Sequence, residues 1–142
     1  MKSVKTVLAQ KGHVVFTVSP DTMVYDGLEL MMEKNISALL IAENDQLVGI
    51  FTERDYARKL VLKGKSSKDT DVRSIMTAGP ITVTSNDTVD TCMKIMTEKH
   101  IRHLPVVDEG KLNGMISIGD VVKSVINDQK ETIQQLETYI NS

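Results

Sequence analysis

The sequence predicts an α/β protein made of two copies of one strand-helix-strand-strand-helix unit, followed by a long C-terminal helix. An internal repeat and the apolar patterning inside it carry that prediction. Shifted by 65 positions, Thr17 to Arg58 aligns with Thr82 to Lys123 without a gap. Thr17-Val18 meets Thr82-Val83; Met31, Glu33, Lys34 and Ile36 meet Met96, Glu98, Lys99 and Ile101; Gly49 meets Gly114, and Asp55 meets Asp120. Self-similarity held in register over this length marks a duplicated structural unit.

In each copy the first strand centres on Thr17-Val18 or Thr82-Val83. A helix follows from about Met23 to Asn35, where Val24, Leu28, Met31 and Met32 recur on one apolar face; Val89, Met93 and Met96 do so in copy two. Asp21-Thr22 and Asn86-Asp87 are the expected capping residues. Ala38 to Ala42 and Leu104 to Val107 are short apolar runs, as in strands buried on both faces. Asn44-Asp45 and Glu109-Gly110 signal turns into the strands Leu47 to Phe51 and Leu112 to Ser117. A second helix is expected to start near Thr52 and Ser117. Val72-Arg73-Ser74-Ile75-Met76 echoes Val4-Lys5-Thr6-Val7-Leu8 at an offset of 68, so copy one carries three extra residues between Ala9 and Phe16. The polar segment Lys63 to Thr70 links the copies. After Gly119 neither Gly nor Pro recurs, which predicts one helix from Asp120 to Ile140.

Composition narrows the function. The 142 residues carry a net charge of −2 and no Trp, three Tyr and two Phe. There is no global basic field, and stacking platforms for nucleic acid are scarce. No apolar run approaches the ~20 residues of a membrane span, and the start carries no secretory pattern. The single Cys92 excludes an intrachain disulfide. A cytoplasmic protein without nucleic-acid or membrane partners is the expectation.

Ile101-Arg102-His103-Leu104-Pro105-Val106-Val107-Asp108, followed by Gly114 to Val122, resembles the CBS domain family, named after cystathionine β-synthase. Ile36 to Ile41 and Gly49 to Asp55 show the same frame, and Val72 to Thr77 is similar to the lead-in helix of such a repeat. Two CBS repeats commonly pair into a free-standing Bateman module. The resemblance implies repeats related by a pseudo-two-fold axis and packed through their sheets, with two clefts that take an adenosine-type ligand: AMP, ADP, ATP, NAD or S-adenosylmethionine. It implies a non-catalytic ligand sensor in signal transduction, without a catalytic cofactor, acting as a homodimer on an unknown client protein. The domains expected are 1–65, copy one with its lead-in helix, and 66–142, copy two with its lead-in helix and the helical extension.

The same resemblance assigns residues. Asp55 with Thr52, and Asp120 with Ser117, would take ribose hydroxyls. The backbone at Phe16-Thr17 and at Ile81-Thr82 would read adenine. Arg102 and His103, just before Pro105, would meet phosphate. Copy one departs by placing Ser37 and Ala38 there, so charge compensation for phosphate falls mainly to copy two.

Each assignment has a plainer reading. Thr52-x-x-Asp55 and Ser117-x-x-Asp120 fit helix capping boxes, although a helix N-terminus is also where anions and hydroxyl-rich ligands dock. Arg102 is either a phosphate fork or a solvated cation; Arg54 meets ligand phosphate or an acid. The basic stretch Lys59 to Arg73 reads as a solvated face. Gly64-Lys65-Ser66 lacks the earlier glycine of a P-loop. His100, His103 and Cys92 lack the second ligand pair of a metal site, and no nucleophile or poised base stands out for catalysis. In the last helix Val122, Ile126, Ile133, Leu136 and Ile140 lie at heptad-like spacing, interrupted by Gln129. That face either docks on the chain's own core or forms a dimer seam.

Overall fold

The computed structural model describes residues 2–141 and is α/β in class. In chain order the elements are α1 (Val4–Lys11), β1 (Thr17–Val18), α2 (Val24–Lys34), β2 (Ala38–Glu43), β3 (Gln46–Thr52), α3 (Glu53–Asp55), β4 (Thr77–Ala78), α4 (Val89–Lys99), β5 (His103–Asp108), β6 (Lys111–Ser117) and α5 (Ile118–Asn141). The strands form a four-stranded sheet in the order β1-β2-β3-β4 and a two-stranded sheet of β5 and β6. Each hairpin turns on two residues of positive φ, Asn44-Asp45 and Glu109-Gly110, as a two-residue loop between twisted strands requires. Asn35 and His100 end α2 and α4 in the same left-handed conformation, so His100 has a capping role.

The chain divides into two compact units whose boundaries differ from those expected at 65 and 66. One unit holds Val14–Ile81 and Glu109–Leu112; the other holds Met1–His13, Thr82–Asp108 and Asn113–Ser142. Each lead-in segment thus belongs with the other copy. The physical cause is a pair of glycines. A Cβ on Gly114 would lie 2.8 Å from Leu8 Cδ2, and one on Gly49 would lie 2.4 Å from Met76 Sδ. Leu8 and Met76 are the lead-in counterparts, and each needs a strand position with no side chain to lie against. The cores follow: Val4, Val7 and Leu8 pack with Val89, Cys92, Leu104 and Ile116, whereas Val72 and Ile75 pack with Val24, Leu39, Ile41 and Phe51.

The exchange also changes the helix starts. Asp21-Thr22 and Asn86-Asp87 do not cap the helices. The first N–H of α2 donates to Thr70 O and that of α4 to Lys2 O, each at 3.0 Å or less, so lead-in carbonyls satisfy those orphan donors. Thr88 is the side-chain cap of α4, while Asp87 accepts from Thr84 N at 2.7 Å within the preceding turn.

Three further elements depart from the repeat. Thr82-Val83 forms no full strand, only a parallel bridge from Val83 to Val106. In copy one Leu40 N donates to Phe16 O; its counterpart is Pro105, which has no N–H to give. The copy-two lead-in is a short 3₁₀ turn, Val72–Ser74, followed by β4. Copy one's second helix is short: α3 runs into a π turn at Tyr56–Leu60 and a 3₁₀ turn at Val61–Lys63, ending at Gly64 with φ 68°. Its counterpart α5 continues for 24 residues.

Candidate functional site

In each copy a Ser/Thr-x-x-Asp turn sits where the second hairpin strand becomes a helix. In copy one, Asp55 N donates to Thr52 Oγ1 at 3.2 Å, and Thr52 N returns a bond to Asp55 Oδ2 at 3.0 Å. In copy two, Asp120 N donates to Ser117 Oγ at 3.2 Å, and Ser117 N donates to Asp120 Oδ2 at 2.8 Å. The capping-box reading therefore holds for both. A matching backbone bond ties each turn to the strand that opens its hairpin: Glu53 N to Ser37 O, and Ile118 N to Arg102 O. Ser37 and Arg102 are thereby fixed beside the two turns. Ala38 faces Thr52 across β2 and β3, and Thr17 pairs alongside Leu40. The copy-one candidates Thr17, Ser37, Ala38, Thr52 and Asp55 gather at one end of the sheet.

The surroundings of the two carboxylates differ. Asp55 is 6% exposed. Its Oδ2 takes Thr52 N and Oγ1; its Oδ1 takes Thr77 Oγ1 at 3.1 Å and Lys59 Nζ at 3.0 Å. Four donors fill the acceptor capacity of a carboxylate. Asp120 receives Lys11 Nζ at 2.7 Å, Ser117 N and Ser117 Oγ, all on Oδ2. Among the described residues no donor lies on its Oδ1. Burial pushes the Asp120 carboxyl up, yet the Lys11 ammonium and the Ser117 donors outweigh it and hold the group below its ordinary range.

Lys11, Lys59 and Thr77 escaped the sequence reading. Lys59 stands four residues after Asp55 on the same turn, a spacing legible in the sequence. Lys11 and Thr77 reach the carboxylates only through the exchange of lead-in segments. The basic stretch is also less uniform than a solvated face: Arg73 bonds Glu43 at 3.0 Å and Asp21 at 3.3 Å, and Lys68 lies 4.9 Å above the Tyr25 ring.

The remaining candidates fall around these turns. Phe16 is half-buried with Lys34 over its ring. Arg54 is exposed on α3, Arg102 is exposed before β5, His103 opens β5 half-buried, and Pro105 is buried within it. Ile81 and Thr82 are exposed. No group of His, Cys, Asp and Glu among the described residues is arranged to hold a metal ion, and none of the described helices is long and apolar enough to cross a membrane.

A duplicated α/β frame with one capped Ser/Thr-x-x-Asp turn per copy defines the class: a tandem-repeat module. The chain belongs to the CBS domain family, whose model matches residues 11–62 and 72–127. It is 44% identical over 125 residues to the mitochondrial CBS domain-containing protein CBSX3 of Arabidopsis thaliana, covering 84% of this chain and 61% of that one. A solved putative signal-transduction protein with CBS domains from Burkholderia ambifaria is 51% identical at a TM-score of 0.86, covering 90% of this chain and 96% of that one. CBSX2, solved in complex with AMP, is 25% identical at a TM-score of 0.74, covering 89% of this chain and 98% of that one.

Proposed function

We propose that the chain is a non-catalytic regulatory module that binds an adenine nucleotide at the copy-two turn and responds by a change of shape or association. The open Oδ1 of Asp120 carries this reading. A carboxylate with one oxygen anchored and the other available can accept from a ribose hydroxyl without losing a protein bond. Asp55 can do so only by releasing Lys59 or Thr77. Arg102, held beside Ser117 through its carbonyl, offers a forked donor for phosphate, with His103 next to it; copy one has Ser37 and Ala38 there. The AMP complex of CBSX2 supports an adenine ligand; AMP, ADP, ATP, NAD and S-adenosylmethionine are the set to test.

Calorimetric titration tests the assignment. Asp120→Asn should weaken AMP binding at least tenfold, whereas Asp55→Asn should leave the affinity within about threefold while lowering the melting temperature. Arg102→Ala should weaken AMP by roughly ten- to a hundredfold, the ~1.5–3 kcal/mol of a charge-assisted bond, and leave adenosine almost unchanged. Loss of AMP binding in Asp55→Asn alone would move the site to copy one. No binding of any adenine compound to ligand-free protein would remove the sensor reading.

A further inference from the structure

We infer that residues 122–140 of α5 pair with the same residues of a second copy as a two-stranded, parallel, in-register coiled coil. The inference is independent of any nucleotide.

Only Val121 and Ser124 of α5 are fully buried, and every described residue from Gln129 to Asn141 is exposed. The docking of this face on the chain's own core, one of the two readings open in the sequence, is thereby excluded beyond Asn127. A helical stretch this short is marginal in water without a packing partner. It nevertheless carries an apolar stripe: Val122, Ile126, Ile133, Leu136 and Ile140 are 50%, 44%, 56%, 56% and 77% exposed. With Gln129 these residues recur in alternating steps of four and three, the 3.5-residue period of a supercoiled seam. Isolated exposed apolar residues are ordinary; a continuous stripe marks an interface.

The pattern selects the occupant. Ile126, Ile133 and Ile140 fall at a positions, and Val122, Gln129 and Leu136 at d positions. Ile at every a position, with Leu136 at d, suits a two-stranded seam. In that register Gln129 faces Gln129 of the second copy, and each amide can bond the other. An antiparallel arrangement that aligned the same layers would set Gln129 against Ile133. The flanking charges permit this register. Lys123, Lys130 and Glu137 are at e, and Val125, Thr132 and Tyr139 at g. In parallel, Lys130 meets Val125 and Glu137 meets Thr132 of the second copy, so no like charges face each other. In antiparallel, Lys130 meets Lys130 but Lys123 meets Glu137, so the charges do not choose the orientation. The lone polar layer chooses it, because only the parallel in-register pair sets Gln129 against Gln129.

Cross-linking of the full chain tests the pairing. Leu136→Cys introduces the only accessible thiol, because Cys92 is fully buried. Under mild oxidation at micromolar concentration it should form a covalent dimer at least tenfold faster than Thr138→Cys, which lies on the outer face. Adding Ile133→Asp to Leu136→Cys should abolish the advantage, and a solvent-facing Glu131→Asp should not. Equal rates for Leu136→Cys and Thr138→Cys overturn the proposal. So does efficient linking only in an equal mixture of Ile126→Cys and Leu136→Cys proteins, which would make the seam antiparallel.

Discussion

Lys11 donates to the Met115 carbonyl and to Asp120, so replacing it strips the copy-two carboxylate of its only described cation. In the native protein Asp120 lies below its ordinary value of 3.8. A carboxyl depressed in the folded state adds stability above its unfolded pKa, and loses it as the pH falls through the folded value. Without Lys11, burial is opposed by the Ser117 donors alone. Lys11→Met should raise the Asp120 midpoint in a carboxyl NMR titration and move acid unfolding to higher pH; an unchanged midpoint would assign the depression to Ser117 alone. Ser124 offers a second measurement. It occupies the position of Lys59 in the repeat, and its hydroxyl is buried without a partner among the described residues. An unsatisfied buried hydroxyl costs about 1–3 kcal/mol, so Ser124→Ala should raise stability by about 1 kcal/mol in urea unfolding. At this scale the sequence made the site half legible. Thr52, Asp55, Ser117 and Asp120 stood out by spacing. Their partners Thr77 and Lys11 did not, because bonds spanning 22 and 109 residues leave no local pattern. Cys92 shows the same limit from the other side: a lone cysteine in sequence, it proves to be a core residue whose thiol burial pushes up to about 11. It should stay inert to thiol reagents at neutral pH until the protein unfolds, and rapid labelling of native protein would contradict its burial.

Among the elements, the strand-to-lead-in contacts are the least visible in sequence and the most consequential. Helices α2 and α4 and both hairpins follow from apolar period and turn residues, and the long α5 from the lack of Gly and Pro after Gly119; the structure has them where expected. Gly49 and Gly114 were visible as aligned glycines, yet their reason is steric and lies in a distant segment. Leu8 is fully buried and would approach a Cβ on Gly114 at 2.8 Å. Gly114→Ala should therefore destabilise by about 1–3 kcal/mol, the usual range for overpacking, and Leu8→Ala by about 2–5 kcal/mol through the cavity it leaves. The double variant should cost less than the sum, because the new methyl enters the space that Leu8 vacates. A double-mutant cycle in urea measures that coupling. Strict additivity would mean that Leu8 and Gly114 do not meet in solution. The first strand of copy two makes the complementary point: a single residue type, Pro105, removes the donor that makes β1 a strand in copy one.

For the whole molecule the two partitions of the chain, by repeat and by compact unit, predict opposite outcomes when the chain is cut. A fragment 1–65 contains one full repeat with its lead-in helix, the domain expected from the sequence. It lacks Val72 and Ile75, both fully buried in the core that includes Val24, Leu39, Ile41 and Phe51. It also lacks the Thr70 carbonyl that receives the first N–H of α2. A fragment 14–81 is of similar length and retains that entire core, the cap and the four-stranded sheet. Chains of ~60–70 residues bury little more than half of their unfolded surface and are marginal, so the loss of two core side chains decides between folded and unfolded. Fragment 14–81 should unfold in a cooperative urea transition, and fragment 1–65 should show none. Fragment 82–142 extends the argument to the other unit, since it lacks Val4, Val7 and Leu8 and the Lys2 carbonyl that caps α4. It should remain unfolded alone and gain structure when a peptide of residues 2–13 is added, with circular dichroism and the protection of Cys92 from thiol reagents as readouts. A cooperative transition in fragment 1–65, or folding of fragment 82–142 without the peptide, would show that each repeat folds with its own lead-in and that the exchanged contacts are dispensable.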